Sequence, residues 1–158
     1  MDKDLDKLAR EIVTQNQYVT IATSDKKGNP WISPVVYGYD KKWNLYFVSV
    51  PSSRHCQNVK INESIAAVIF DSHQLFGTGV GLYIEGAVSK VPIQEIVTVI
   101  PYLYKRKFPY GKPSNNIQHY ILRFLKKREL YRVYKIQPTR FWVNDVIDNV
   151  DVRIEVHP

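Results

Sequence analysis

Two clusters of turn-forming residues, Ser24-Asp-Lys-Lys-Gly-Asn29 and Asp40-Lys-Lys-Trp-Asn44, cut the first third of the chain into three runs of β-branched and aromatic residues. The runs are Tyr18 to Thr23, Pro30 to Tyr39 and Leu45 to Val50, the last stopped by Pro51. Side chains of this kind suit a pleated, half-buried surface, so the order predicts strands joined by hairpins. Pro30 and Pro34 have no ladder donor. The second strand is therefore expected to be an edge, to be bulged, or to face something other than a neighbouring strand, and a ligand is one such partner.

The remainder alternates between periods. Asp4 to Gln15 places Leu5, Leu8, Ile12 and Val13 at helical spacing, with aspartates near the start to suit the dipole. At Ser52 to Asn62, Cys56, Val59 and Ile61 are expected to face inward and a serine sits where an N-cap belongs, which predicts a short helix from about Ser53. Ser64 to Phe70 and Leu82 to Val91 read as strands around a loop, Asp71 to Gly81, that holds three glycines. Pro92 opens a helix to about Lys107, Pro109 to Pro113 breaks it, and Asn116 to Lys127 forms another. Leu130 to Ile136 and Arg140 to Asn144 alternate as two last strands. No internal repeat, low-complexity tract or linker stands out. The expected fold is mainly β: six to seven antiparallel strands in Greek-key or meander order, with three to four helices on a small barrel.

At 158 residues with 44% hydrophobic content, the chain is long enough for one domain with a real core. The single cysteine, Cys56, excludes an internal disulfide framework, a zinc ribbon and an iron–sulfur site, and points to a reducing, cytoplasmic setting. No apolar run approaches a membrane span or a signal peptide, so a soluble, unprocessed protein is expected. The formal charge of +7 is uneven: Lys105 to Arg140 holds 11 basic residues and one acid, so that segment carries +10 and the rest −3. Such a segment suits nucleic acid, an anionic membrane surface or a phosphorylated small molecule, or is a solvated helix face with outward strand positions. The glycine and aromatic spacing of an RNA-recognition motif is missing, which makes nucleic acid an unlikely main partner.

The stretch Ser49 to Lys60 carries the most chemistry. A strand runs into a corner rich in hydroxyls, and the corner opens a helix with Arg54, His55 and Lys60. Helix N–H groups, serine hydroxyls and a guanidinium fork hold phosphate well. The alternative is that Ser52 or Ser53 merely caps the helix while Arg54 points to water; residue types leave both open. Gly77-Thr-Gly-Val-Gly81 lacks the Lys-Ser or Lys-Thr ending of a phosphate loop and reads as a flexible hairpin. His55, His73, His119 and His157 lie in separate segments without ligand spacing, so no metal site is expected. Cys56 reads as a small core residue, no serine sits in a nucleophile elbow, and Asp71 and Glu85 show no pairing; no catalytic residue is assigned.

Taken in order, Thr20 to Tyr39, Leu45-Tyr-Phe-Val-Ser49, Ser53-Arg54-His55 with Asn58, and Ile84-Glu-Gly-Ala-Val88 resemble the pyridoxamine 5′-phosphate oxidase-like, flavin-binding split-barrel family. The resemblance is strong over residues 5 to 92; Pro138-Thr-Arg-Phe-Trp142 and Asp151-Val-Arg153 extend it more weakly. It implies a split β-barrel occupying 1–158 as a single domain, with a helical insertion at about 92–127. It further implies a homodimer binding FMN in grooves between the subunits, and a flavin-dependent oxidoreductase acting on a small, anionic substrate. Related barrels also use deazaflavin F420, whose acidic tail would suit the basic segment, or bind haem without catalysis.

The resemblance places the flavin phosphate at Ser49, Ser53, Arg54 and His55, with Val48 beside them. It lays Ser33 and the main chains of Val35 and Val36 along the flavin, and brings Trp142 to the ring from the partner or the C-terminal segment. His55 stands where the family has lysine, which replaces a fixed cation by a group that titrates near neutrality. Lys60 is a candidate to compensate. A glutamine common before Glu85-Gly86 has no counterpart, and the substrate-phosphate run is reduced to Asp151-Val-Arg153, so oxidation of vitamin B6 is not expected.

Overall fold

The computed structural model describes residues 4–106, 115–126, 130–147 and 150–158. Helix α1 (Leu5–Gln15) is followed by strands β1 (Tyr18–Ser24), β2 (Pro30–Tyr39) and β3 (Leu45–Ser49), a six-residue helix α2 (Arg54–Val59), then β4 (Ser64–Phe70) and β5 (Gly81–Lys90). A 3₁₀ turn leads into α3 (Ile96–Tyr104), then come α4 (Ile117–Leu125), β6 (Arg132–Ile147) and β7 (Val150–Val156). All pairings are antiparallel. The order β3-β2-β1-β4-β5-β6 is closed by β3 pairing with β6, giving a six-stranded barrel, and β7 adds to the far half of β6. The mainly β split barrel expected from the sequence is the fold observed.

Several elements differ from expectation. The two last strands are one, β6, because Pro138 falls where the β5 ladder shifts register between Glu85 and Gly86. Thr139 is the residue left out of the ladder, and the irregularity beside it accommodates Pro138, which lies opposite Gly86 and has no N–H to donate. Strand β7 was not anticipated, although Val150, Val152, Ile154 and Val156 alternate strictly. Ile61, expected inside, is exposed, since α2 ends at Val59. The proposed break at Pro109 to Pro113 lies outside the described residues.

The hairpin turns are near copies, a repeat that the sequence reading missed. In each, one aspartate oxygen accepts from two backbone N–H groups and the other from an asparagine side chain: Asp25 from Lys27, Asn29 and Asn29 Nδ2; Asp40 from Lys42, Asn44 and Asn44 Nδ2. The fourth residue adopts the left-handed conformation, Gly28 at φ 82° and Trp43 at φ 60°. Glycine does this freely, whereas Trp43 is held there while its ring stacks on Tyr39 at 5.6 Å. Asp40 also accepts from Tyr46 Oη at 2.9 Å.

Burial pushes the Asp40 carboxyl up, but hydrogen bonds from Asn44, Tyr46 and Lys42 outweigh it, and the net shift is downward. A depressed folded value means stabilisation present above the ordinary carboxylate range and lost as pH falls through the folded value. Asp40→Ala is expected to cost about 1–2 kcal/mol at pH 7 by urea titration, and the difference from the parent should shrink below pH 4. Asp25→Ala, in the exposed copy of the turn, should cost less. An equal loss at pH 3 and pH 7 would refute this account.

Two apolar clusters hold the molecule. The larger fills the barrel and the inner face of α1, with Val13, Ile21, Tyr37, Phe47, Ile69, Leu82 and Ile136 fully buried. The second lies where α3 covers β3 and β6, and joins Tyr46, Val99, Ile100, Leu103 and Val133. Among the described residues, basic side chains of the segment Lys105 to Arg140 sit at several places on the fold. Arg106 is half-buried against α1 and β2, Arg123 faces Tyr131, Arg132 reaches the end of β3 by pairing with Ser49, and Arg140 pairs with Glu85. Among the described residues, no helix is long and apolar enough to cross a membrane.

Candidate functional site

Strand β3 delivers Ser49 to the end of the barrel, and the turn Val50 to Ser53 reverses the chain into α2. The inner face of α2 is fixed by Cys56 and Val59 in the core and by buried Asn58, whose Nδ2 donates to Thr23 Oγ1 at 3.0 Å. Thr23 in turn donates to the carbonyl of Trp31 at 3.3 Å, so α2, β1 and β2 are tied together beneath the corner.

On that base stands a cluster of three hydroxyls around one imidazole. His55 Nε2 lies 2.8 Å from Ser49 Oγ and 3.2 Å from Ser53 Oγ, the two hydroxyls are 3.2 Å apart, and His55 Nδ1 lies 3.1 Å from Ser33 Oγ. Hydroxyls both give and accept, so either imidazole tautomer or the imidazolium is satisfied here. Ser53 holds the N-cap position but makes no side-chain cap bond. The capping alternative is thereby removed: its hydroxyl serves the cluster. Arg54 does not simply point to water either, for its guanidinium lies 4.4 Å over the Trp31 ring. With only six residues, α2 contributes a small dipole, and the polarity of the corner comes from side chains.

Beneath the cluster lie Cys56, fully buried, and Tyr134 of β6, stacked on Phe47 at 5.3 Å. Burial pushes the Cys56 thiol up, but hydrogen bonds with His55, Ser53, Tyr134 and Ser49 prevail and bring it down to about 7. Burial and the bond to Cys56 push the Tyr134 phenol upward, against the pull of the Arg132 charge. Neither Cys56 as a polar member nor Tyr134 was identified from sequence. Tyr134 arrives by the β3–β6 register, Phe47 opposite Tyr134, which leaves no local signal.

The other expected site residues are placed as follows. Ser33 joins the cluster. Tyr37 N–H donates to Gln17 on the β1 side, so by alternation Val35 also turns its main chain toward β1 and is buried, while Val36 is exposed. The same alternation turns Pro30, Ile32 and Pro34 toward the edge that β3 leaves uncovered, since β3 pairs only with Tyr37–Tyr39. The N–H groups that Pro30 and Pro34 lack therefore leave no ladder bond unmade. Val48 packs against the α3 cluster, on the opposite face of β3 from Ser49. Lys60 is the C-cap of α2, the far end from Ser53, about 10 Å away at helical rise, so it does not replace the missing lysine. Trp142 lies on the order of 30 Å further along β6 than Arg132 and is not brought to the corner by its own chain.

The family model for pyridoxamine 5′-phosphate oxidase matches residues 5–143, and the chain belongs to that family. No curated protein matches. Solved structures share the barrel: a haem-binding protein from Mycobacterium smegmatis (TM-score 0.71, 15% identity, 98% of this chain and 59% of that one). A protein related to general stress protein 26, of the pyridoxinephosphate oxidase family, from Clostridium acetobutylicum follows at 0.65 and 15%, covering 98% and 96%. An F420 reductase gives 0.56 and 18%, covering 83% and 94%. At these identities the likeness is one of fold.

Proposed function

We propose that the chain binds FMN, its phosphate at the Ser49–Ser53–His55 corner, and works as a flavin-dependent oxidoreductase on a small anionic substrate. The carrying observation is the cluster itself: two hydroxyls, one freed from capping duty, next in the chain to Arg54, whose guanidinium lies over the Trp31 ring. That donor set fits a phosphate, which needs several donors and at least one cation. Bound flavin would supply hydride transfer, and the protein would bind, orient and shield it. A homodimer with the groove between protomers is part of this reading. Ile32, Val36, Tyr18 and Phe70, exposed at 63%, 41%, 55% and 50%, give β2, β1 and β4 an apolar outer face suited to a second copy, whose Trp142 would then approach the ring. Arg106, spent on backbone carbonyls, and Arg140, opposite Glu85, are engaged elsewhere, which favours FMN over the longer acidic tail of F420.

Haem is the second reading, for one reason. Asp71 accepts from His73 Nδ1 at 3.0 Å, which leaves Nε2 for a ligand beside a cleft of about 600 Å³ lined in part by Tyr18 and Phe70. The visible spectrum of the purified chain, taken after adding FMN and desalting, decides between them. Flavin bands are expected, with Arg54→Ala weakening FMN binding by about 2 kcal/mol. A Soret band in their place would favour haem, and unchanged FMN affinity in Arg54→Ala would sink the phosphate assignment.

A further inference from the structure

The corner contains one fixed cation from its own motif, Arg54, and Lys60 is too remote to be the second. The register supplies another. Ser49 of β3 lies opposite Arg132 of β6, and side chains of directly opposed residues share a face of the sheet. Phe47 and Tyr134, the next pair on that face, stack at 5.3 Å, which confirms the shared side. Arg132 is half-buried, its Nη1 donates to the Tyr131 carbonyl at 2.8 Å, and its charge acts on the Tyr134 phenol beneath the cluster. Lys90, opposite Tyr134 on β5, continues the row.

We propose that Arg132, carried in by β6, is the second fixed cation of the corner, so that a phosphate monoester is held between the guanidinium groups of Arg54 and Arg132. His55 then orients Ser33, Ser49 and Ser53 and is not required as a cation. This rests on reading the corner as a phosphate site. A contiguous motif is thus replaced by a pair of residues joined only by strand register.

The test is titration of the full chain with FMN and with riboflavin, followed by flavin fluorescence, in the parent, Arg132→Gln and Lys60→Gln. Arg132→Gln is expected to weaken FMN about tenfold or more while riboflavin changes less than about twofold, and Lys60→Gln to change neither. Unchanged FMN affinity in Arg132→Gln, or equal weakening of both flavins, overturns the proposal; the second result assigns Arg132 a structural role. If the parent binds neither flavin, it is the flavin reading that fails. Inorganic phosphate then serves as probe: a rise in melting temperature of the parent that Arg132→Gln lacks supports the assignment, and no rise in the parent overturns it.

Discussion

Replacing Arg106 by alanine is expected to destabilise the protein by about 3–5 kcal/mol, read as a lower urea midpoint at unchanged slope. Its guanidinium donates to four backbone carbonyls: Tyr37 from Nη1 at 2.8 Å, and Val13 at 2.7 Å, Thr14 at 3.1 Å and Asn16 from Nη2. Three of these belong to the C-terminal end of α1, where a positive charge also meets the negative end of the dipole. The same group lies 4.4 Å over the Tyr37 ring and 5.0 Å from that of Tyr39. Truncation would therefore unpair carbonyls and uncover two rings at once. Tyr37 shares the junction: its hydroxyl donates to Val13 at 2.7 Å, and burial, opposed by the Arg106 charge, pushes its phenol up to about 12. Arg106→Lys should recover less than half of the loss, because an ammonium cannot span the fork. A loss below about 1 kcal/mol in Arg106→Ala would show that these contacts are dispensable.

Gly38→Ala is expected to cost about 2–3 kcal/mol, some 3 °C in melting temperature for each, by forcing α3 off the barrel. A Cβ at Gly38 would lie 2.2 Å from the carbonyl oxygen of Tyr102 and 2.9 Å from the backbone nitrogen of Leu103. These are helix backbone atoms, so no side chain is free to swing away. Any shift of α3 also separates Tyr102 from Tyr46, stacked at 5.7 Å, and opens the second cluster around Ile100 and Leu103. Gly79→Ala, where nothing lies within 4 Å, is the control. Equal melting temperatures for the two variants would contradict this packing.

Local chemistry was legible wherever one short segment holds both cause and effect. The strands Tyr18 to Ser49 could be read because the DKKGN and DKKWN turns lie between them, and the corner because Ser49, Ser53, Arg54 and His55 are near neighbours in the chain. Strand β7 does carry a local signal, the strict alternation of Val150, Val152, Ile154 and Val156. The bulge that lets Pro138 sit within β6 had no such signal, since it depends on Glu85 and Gly86 some fifty residues earlier.

By itself, then, the sequence determined the class of fold, the family and the hydroxyl corner, because periodicity and turn chemistry act over a few residues. Only the tertiary structure decided what the basic segment does. Pairing across β3 and β6 sends Arg132 to Ser49, and the packing of α3 sends Arg106 beneath α1. Charges adjacent in the chain are parted because strand register and helix packing, which are long-range, set where each side chain goes.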